Sequence, residues 1–351
     1  MSNWLTRPLG KLRKRAASQA YRGLLLDRTV FTDLHSLLRT GKSWEHRARQ
    51  TPTELVIETT NVCNANCVFC AYQYQERFRE GKGVMRDEIF DKALSDYAAM
   101  EGAIINFTPL VGDPLVDPKI INRIQRAKES GFRVFFYTNG ILFNKIDLEA
   151  FLETGVDQVM ISTSPFDRES HEQLYRTRKY DDLRDGVHRL LKLREERGYD
   201  VEINVTFRAQ IPLDDVLAKA DFRDYILPYL TKKEIDGIDA LVRRYDTWGG
   251  LIRPEDMIGD MQLSRAPKLK FRPCQWTFVL MVMYDGMVRA CSCRFTGQEA
   301  SDQDDGLLVG DLREESLEEI WHGERLRELR RSFPAKSLPD VCRSCTMYRP
   351  A

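Results

Sequence analysis

The chain has 351 residues, 42% of them hydrophobic, and its 53 basic and 53 acidic side chains cancel at neutral pH. That length allows more than one domain, because domains typically hold about 100–200 residues. The charge balance gives no reason to expect nucleic acid or another acidic polymer as a partner, and eight cysteines in so long a chain do not make a small secreted disulfide scaffold.

No segment approaches the roughly 20 apolar residues that span a bilayer, and no signal-peptide core precedes a cleavage site, so the expectation is a soluble, cytoplasmic protein. Residues 1–50 read as a basic helical extension, with Arg7, Lys11, Arg13, Lys14, Arg15 and Arg22 set among Leu5, Leu9, Leu12, Tyr21 and Leu24. Such a segment can lie on an anionic membrane as a peripheral contact. Packing on its own domain with the charged face in water is the expectation here.

Leu55-Val56-Ile57 reads as a strand, and Cys63-Asn64-Ala65-Asn66-Cys67-Val68-Phe69-Cys70 follows it. This CxxxCxxC spacing brings three thiolates to one metal centre and offers no fourth local ligand. Soft thiolates select zinc, Cu(I) or iron–sulfur clusters. Structural zinc generally uses paired CxxC units, and the ferredoxin run CxxCxxCxxxCP is absent. The spacing suits a [4Fe–4S] cluster with one iron left open, with a zinc knuckle as the alternative.

The stretch resembles the cluster motif of the radical S-adenosylmethionine (SAM) superfamily, CxxxCxφC, with Phe69 at the aromatic position. The resemblance implies that Cys63, Cys67 and Cys70 hold a [4Fe–4S] cluster whose open iron chelates SAM, and that an electron from the cluster cleaves SAM to a 5′-deoxyadenosyl radical. A reducing partner such as flavodoxin or ferredoxin is implied with it.

Beyond the motif, helical and strand periodicities alternate. A helix carries Ile89, Phe90, Ala93, Leu94 and Tyr97; a strand at Ile104 to Phe107 follows; Asp117-Pro118 predicts an N-cap and first turn, and Gly131 the helix end. The strand Val134 to Tyr137, a helix around Leu148 to Leu152, the strand Val159 to Ile161, a helix on Leu183, Val187, Leu190 and Leu191, and the strand Val201 to Phe207 come next. A last short strand is expected at Ile238 to Val242. Six βα repeats imply a parallel sheet with helices outside, and ligands bind at the carboxyl ends of such strands. The resemblance predicts the same architecture, a partial (β/α)₆ TIM-like barrel over residues 51–250.

The strand ends supply candidates for SAM. Gly112 and Asp113, in Val111-Gly112-Asp113-Pro114, resemble the family's GGEP segment, with Val111 in place of its first glycine and Asp113 in place of its glutamate. Asn139 lies in a segment resembling the family's TNG ending. Ser162 and Ser164 stand where family members place hydroxyls against the SAM ribose or carboxylate, although Ser164 can equally cap the helix near Asp167. Arg208, past the end of the strand carrying Asn204, can pair bidentately with a carboxylate. Tyr245-Asp246-Thr247-Trp248-Gly249-Gly250 follows the barrel; Asp246 is a candidate substrate contact and Trp248 is expected to pack in a seam.

Cys274, Cys291, Cys293, Cys342 and Cys345 form a second group. Phe278 to Met283 and the return to Cys291 read as a hairpin turning at Tyr284-Asp285-Gly286-Met287, followed by a helix capped at Ser316. The arrangement resembles the family's twitch domain, a truncated SPASM domain. The resemblance implies an auxiliary [4Fe–4S] cluster on Cys274, Cys291, Cys342 and Cys345 within a small β-hairpin and helix domain, residues 251–351. Cys293 is left as a hydrogen-atom donor, a fifth ligand or an inert thiol.

The resemblance further implies a radical SAM oxidoreductase acting on a polar small molecule, a sugar or cyclitol whose alcohol becomes a ketone while the auxiliary cluster takes an electron. A peptide maturase, a sugar epimerase and a zinc- or cluster-bearing carrier without radical chemistry are the alternatives.

Overall fold

The computed structural model describes residues 44–74, 82–208, 211–238, 244–259, 261–292 and 306–351. Cys293, most of the basic N-terminal extension and all of the expected strand at 238–242 except Ile238 lie outside them.

The expected α/β alternation is present: β1 (Leu55–Ile57), α1 (Asp87–Ala99), β2 (Ile104–Asn106), α2 (Ile120–Glu129), β3 (Arg133–Thr138), α3 (Leu148–Glu153), β4 (Gln158–Thr163), α4 (Arg168–Tyr175), α5 (Tyr180–Arg197) and β5 (Glu202–Phe207). Short helices α6 (Leu213–Ala218) and α7 (Lys232–Gly237) follow. The C-terminal region adds β6 (Leu280–Val282), β7 (Met287–Arg289), β8 (Leu308–Asp311), α8 (Leu317–His322), α9 (Glu324–Ala335) and α10 (Asp340–Ser344).

The eight strands of the described residues share one sheet in the order β5-β4-β3-β2-β1-β6-β7-β8, an open α/β sheet of the partial-barrel kind. β1 to β5 pair in parallel, and β6 pairs in parallel with the free side of β1, Val56 opposite Met281 and Ile57 opposite Val282. Hydrogen bonding therefore runs unbroken from the barrel repeats into the C-terminal hairpin. Cys274 leads into β6 at the amino end of the parallel strands, whereas the Cys63–Cys70 loop leaves β1 at the carboxyl end.

β1 is buried on both sides, as an interior parallel strand must be. In β3, β4 and β5 burial alternates: Val134, Phe136, Val159, Ile161, Ile203, Val205 and Phe207 meet the helices in the main core, where α5 contributes Leu183, Val187, Leu190 and Leu191. The period of two then turns Ser162 and Thr206, paired across β4 and β5, toward the open face. A second apolar cluster joins Val56, Ala71, Leu110, Val111, Leu251, Val279 and Met281, with Trp248 and Trp276 on its margin. It ties the cysteine loop to the C-terminal region.

Two boundaries differ from the sequence pattern. α2 begins at Ile120, because Asp117 accepts from Lys119 N at 2.9 Å and its other oxygen pairs with buried Arg123, also at 2.9 Å. β6 is shorter than Phe278 to Met283 because Gln275–Phe278 winds into a 3₁₀ turn, Thr277 donating both its N–H and its hydroxyl to Cys274 O. The hairpin turn is as expected, with Gly286 at φ +96°, a left-handed conformation that glycine adopts without steric cost.

Candidate active site

The loop after β1 is anchored before it reaches the cysteines. Glu58, Thr59, Thr60 and Asn61 are fully buried; Glu58 accepts from Leu110 N at 2.8 Å and Asn61 from Gly83 N at 2.9 Å. The cysteine loop then lies on the last turn of α4, donating from Asn66 N to Tyr175 O and from Val68 N to Leu174 O, each at 3.0 Å. These bonds also satisfy carbonyls that a helix end leaves open. Tyr72 N points at Cys70 Sγ at 3.4 Å.

Burial, reinforced by repulsion from their neighbours, pushes the Cys63 and Cys67 thiols far above their usual range. Burial likewise raises Cys70 to about 11, against the pull of Tyr72 N and Arg208. Bare thiolates are thus strongly disfavoured here, and a bound metal centre is what would stabilise them. Among the described residues no three Cys, His, Asp or Glu donors close around one ion, yet the three thiols feel one another's charge. A four-iron cluster spreads its ligands wider than one zinc ion, which sits at about 2.3 Å from each sulfur. The donor set fits such a cluster.

Gly112 and Asp113 stand against this loop. Asp113 N donates to Val62 O at 2.9 Å, and Gly112 adopts φ +131°, where a Cβ would lie 2.9 Å from Thr60 O. Asp113 is turned inward: its carboxylate accepts from Thr138 Oγ1 and Leu115 N at 3.0 Å and from Asn139 N at 2.7 Å. Burial raises it to about 6, and those three donors limit the rise. Asp113 thereby positions Asn139, whose Nδ2 lies 2.6 Å from Asn64 Oδ1 and 3.8 Å from Cys63 Sγ.

Ser162 and Arg208 meet on the open face, Nε donating to the hydroxyl at 2.8 Å. The Arg208 charge is felt at Cys67, Cys70, Tyr175 and Tyr245. Among the described residues no carboxylate pairs with it. Ser164 lies elsewhere: fully buried, with its hydroxyl 3.3 Å from His171 Nδ1. Burial holds His171 down to about 4, so it is neutral at pH 7.

Phe69 is clasped between Tyr175, edge-on, and Tyr245, stacked, both at 5.6 Å between ring centroids. Trp248 Nε1 donates to Phe69 O at 3.0 Å, so its place in the seam carries a specific hydrogen bond. Asp246 accepts from Thr346 Oγ1 and is felt at Cys70, while Gly249 O accepts from Ser344 Oγ at 3.3 Å. Segment 245–250 thus touches the loop of the first three cysteines on one side and the terminal CxxC on the other.

Cys274, Cys291, Cys342 and Cys345 come together, each felt by its neighbours. Burial raises Cys274 to about 12 and Cys342 higher still. Met347 N points at Cys345 Sγ at 3.3 Å, repeating the Tyr72 to Cys70 geometry. Sequence reading missed Tyr175, Tyr245 and Lys270. The Tyr245 hydroxyl, Asn64 Nδ2, Thr163 Oγ1 and Trp276 Nε1 are buried polar atoms without a partner among the described residues.

Comparison with known proteins adds independent observations. The profile of the radical SAM superfamily matches residues 57–206, and that of an iron–sulfur cluster-binding domain, SPASM, matches residues 274–346. The tungsten-containing aldehyde ferredoxin oxidoreductase cofactor-modifying protein of Pyrococcus furiosus is 24% identical over 84% of this chain and 87% of its own. The GTP 3′,8-cyclase of Chlorobaculum tepidum is 29% identical over 38% of this chain and 40% of its own. Among solved structures, BtrN in complex with AdoMet and 2-DOIA superposes with a TM-score of 0.51 at 16% identity, over 84% of this chain and 92% of that one. SuiB of Streptococcus suis bound to its precursor peptide SuiA does so at 0.53 and 17%, over 86% and 73%.

Proposed function

We propose that this chain, a member of the radical SAM superfamily, oxidises an alcohol of a sugar or cyclitol to a ketone. Its cofactors are SAM and [4Fe–4S] clusters. We assign the SAM-binding cluster to Cys63, Cys67 and Cys70, the auxiliary one to Cys274, Cys291, Cys342 and Cys345, and SAM itself to the ground bounded by Gly112, Asn139 and Ser162. When bound, these groups supply a radical that takes one hydrogen atom from the carbinol carbon, and an acceptor for the electron that follows as the hydroxyl proton leaves.

Arg208 carries the substrate reading. Its Nε is fixed by Ser162, and its remaining N–H groups are available to a ligand hydroxyl or carboxylate beside the first three cysteines. Asp246, a carboxylate at the same seam, is assigned as a substrate contact able to take the hydroxyl proton. Phe69, stacked on Tyr245 and bonded to the Trp248 indole, forms an aromatic wall of the same ground. Asp113 positions Asn139 from below. Ser164, turned to His171, supports α4. Cys293 remains a candidate hydrogen-atom donor. A flavodoxin or ferredoxin is the proposed reductant.

The Pyrococcus furiosus relative is named for modifying a cofactor, which also favours a small molecule. A peptide substrate is the second reading, because the superposition on SuiB with its precursor peptide is as good as that on BtrN. Anaerobic reconstitution with deuterated polyols and sugars tests the proposal. Label in 5′-deoxyadenosine, with about eight irons per chain as two four-iron clusters require, is the expected result. Label transfer only from a co-expressed peptide would reverse the ranking, and stoichiometric zinc without SAM cleavage would refute both.

A further inference from the structure

Lys270 sits directly behind the terminal CxxC. Its side chain is buried, the residue being 4% exposed, and Nζ reaches three backbone carbonyls, Cys342 O at 2.6 Å, Arg343 O at 2.9 Å and Cys345 O at 3.0 Å. Two of the three belong to cysteines themselves. Three acceptors use three N–H donors, which an ammonium has and a neutral amine lacks, so the geometry itself calls for the charged form. The carbonyls close the carboxyl end of α10, where a helix leaves such groups open and a cation is favoured. Tyr348 flanks the ammonium at 5.7 Å and is itself held by donating to Arg272 O at 2.9 Å. The positive charge is felt at Cys342.

We propose that Lys270 is a positioning residue of the auxiliary cluster. It holds the CxxC arm in register for ligation and keeps one positive charge beside the cluster, which raises the cluster's reduction potential and makes it the better electron acceptor. This rests on the assignment of Cys274, Cys291, Cys342 and Cys345 as ligands. Net charge, hydrogen bonding and burial are the protein's means of setting such potentials. A cluster on four thiolates is anionic, and each added electron increases that charge, so a buried ammonium nearby stabilises the reduced form more than the oxidised one.

The test uses the full chain with Cys63, Cys67 and Cys70 replaced by alanine, so that only the auxiliary cluster is read. About four irons after anaerobic reconstitution support the ligand assignment; no iron refutes that assignment and this proposal with it. Lys270→Met and Lys270→Arg are then compared by iron content, circular dichroism and redox titration. Lys270→Met with iron bound is expected to favour the oxidised cluster at least tenfold, a potential lower by about 59 mV for one electron, and Lys270→Arg to restore much of it. An unchanged potential at full iron content overturns the proposal. If Lys270→Met binds no iron while folded, Lys270→Arg decides: restored iron sustains it and continued loss overturns it.

Discussion

Trp248 donates its indole N–H to the carbonyl of Phe69 at 3.0 Å. Phe69 lies between two of the first cysteines, and Trp248 lies two residues beyond Asp246, which is bonded to Thr346 beside Cys345. One short segment therefore mechanically links the two thiol groups, although 274 residues of sequence lie between Cys70 and Cys345.

Trp248→Phe keeps the ring in the second apolar cluster and removes the N–H. The expected loss is about 1 kcal/mol, a typical net hydrogen bond, read as a lower urea midpoint. A variant as stable as the parent would show that the indole N–H contributes nothing.

Asp246→Ala and Thr346→Val should not be additive. A hydrogen bond to a charged acceptor is worth about 1.5–3 kcal/mol, and a double-mutant cycle isolates the pair. A coupling energy near zero would mean that the barrel and the terminal CxxC are joined by other contacts.

Gly112→Ala places a methyl 2.9 Å from Thr60 O at a φ that disfavours alanine. A cost of about 1–3 kcal/mol is expected for such strained backbone, together with reduced iron on the first three cysteines because the Gly112 segment abuts their loop. Full iron and unchanged stability would exclude this role.

His171 and Asp113 give opposing pH dependences. His171 falls to about 4, so the unfolded chain protonates first; its contribution is complete above the ordinary pKa near 6.5 and is lost as pH falls through 4. Asp113 is raised to about 6, so its contribution is complete below the ordinary value of 3.8 and is lost as pH rises through 6. In His171→Leu the first is removed and the second remains. The stability of the parent relative to this variant should rise by about 3 kcal/mol between pH 4 and 6.5, measured by urea unfolding across that window. A constant difference would show that His171 does not stay neutral.

The repeats, the two cysteine groups and the strand ends that carry Gly112, Asn139 and Ser162 are legible in the sequence. Each of these is local: apolar period, turn chemistry and ligand spacing are written within a few residues. Arg208 follows the strand that carries Asn204, and parity along β5 puts 204, 206 and 208 on one face. The folded chain alone reveals that β6 pairs with β1, that Ser164 turns to His171 and Asp113 to Asn139, and that Lys270 closes the terminal CxxC. Those partners are far apart along the chain or depend on which of several hydrogen bonds a buried polar group takes. A buried group must find a partner wherever the fold brings one, and no periodicity in the sequence records which one that will be.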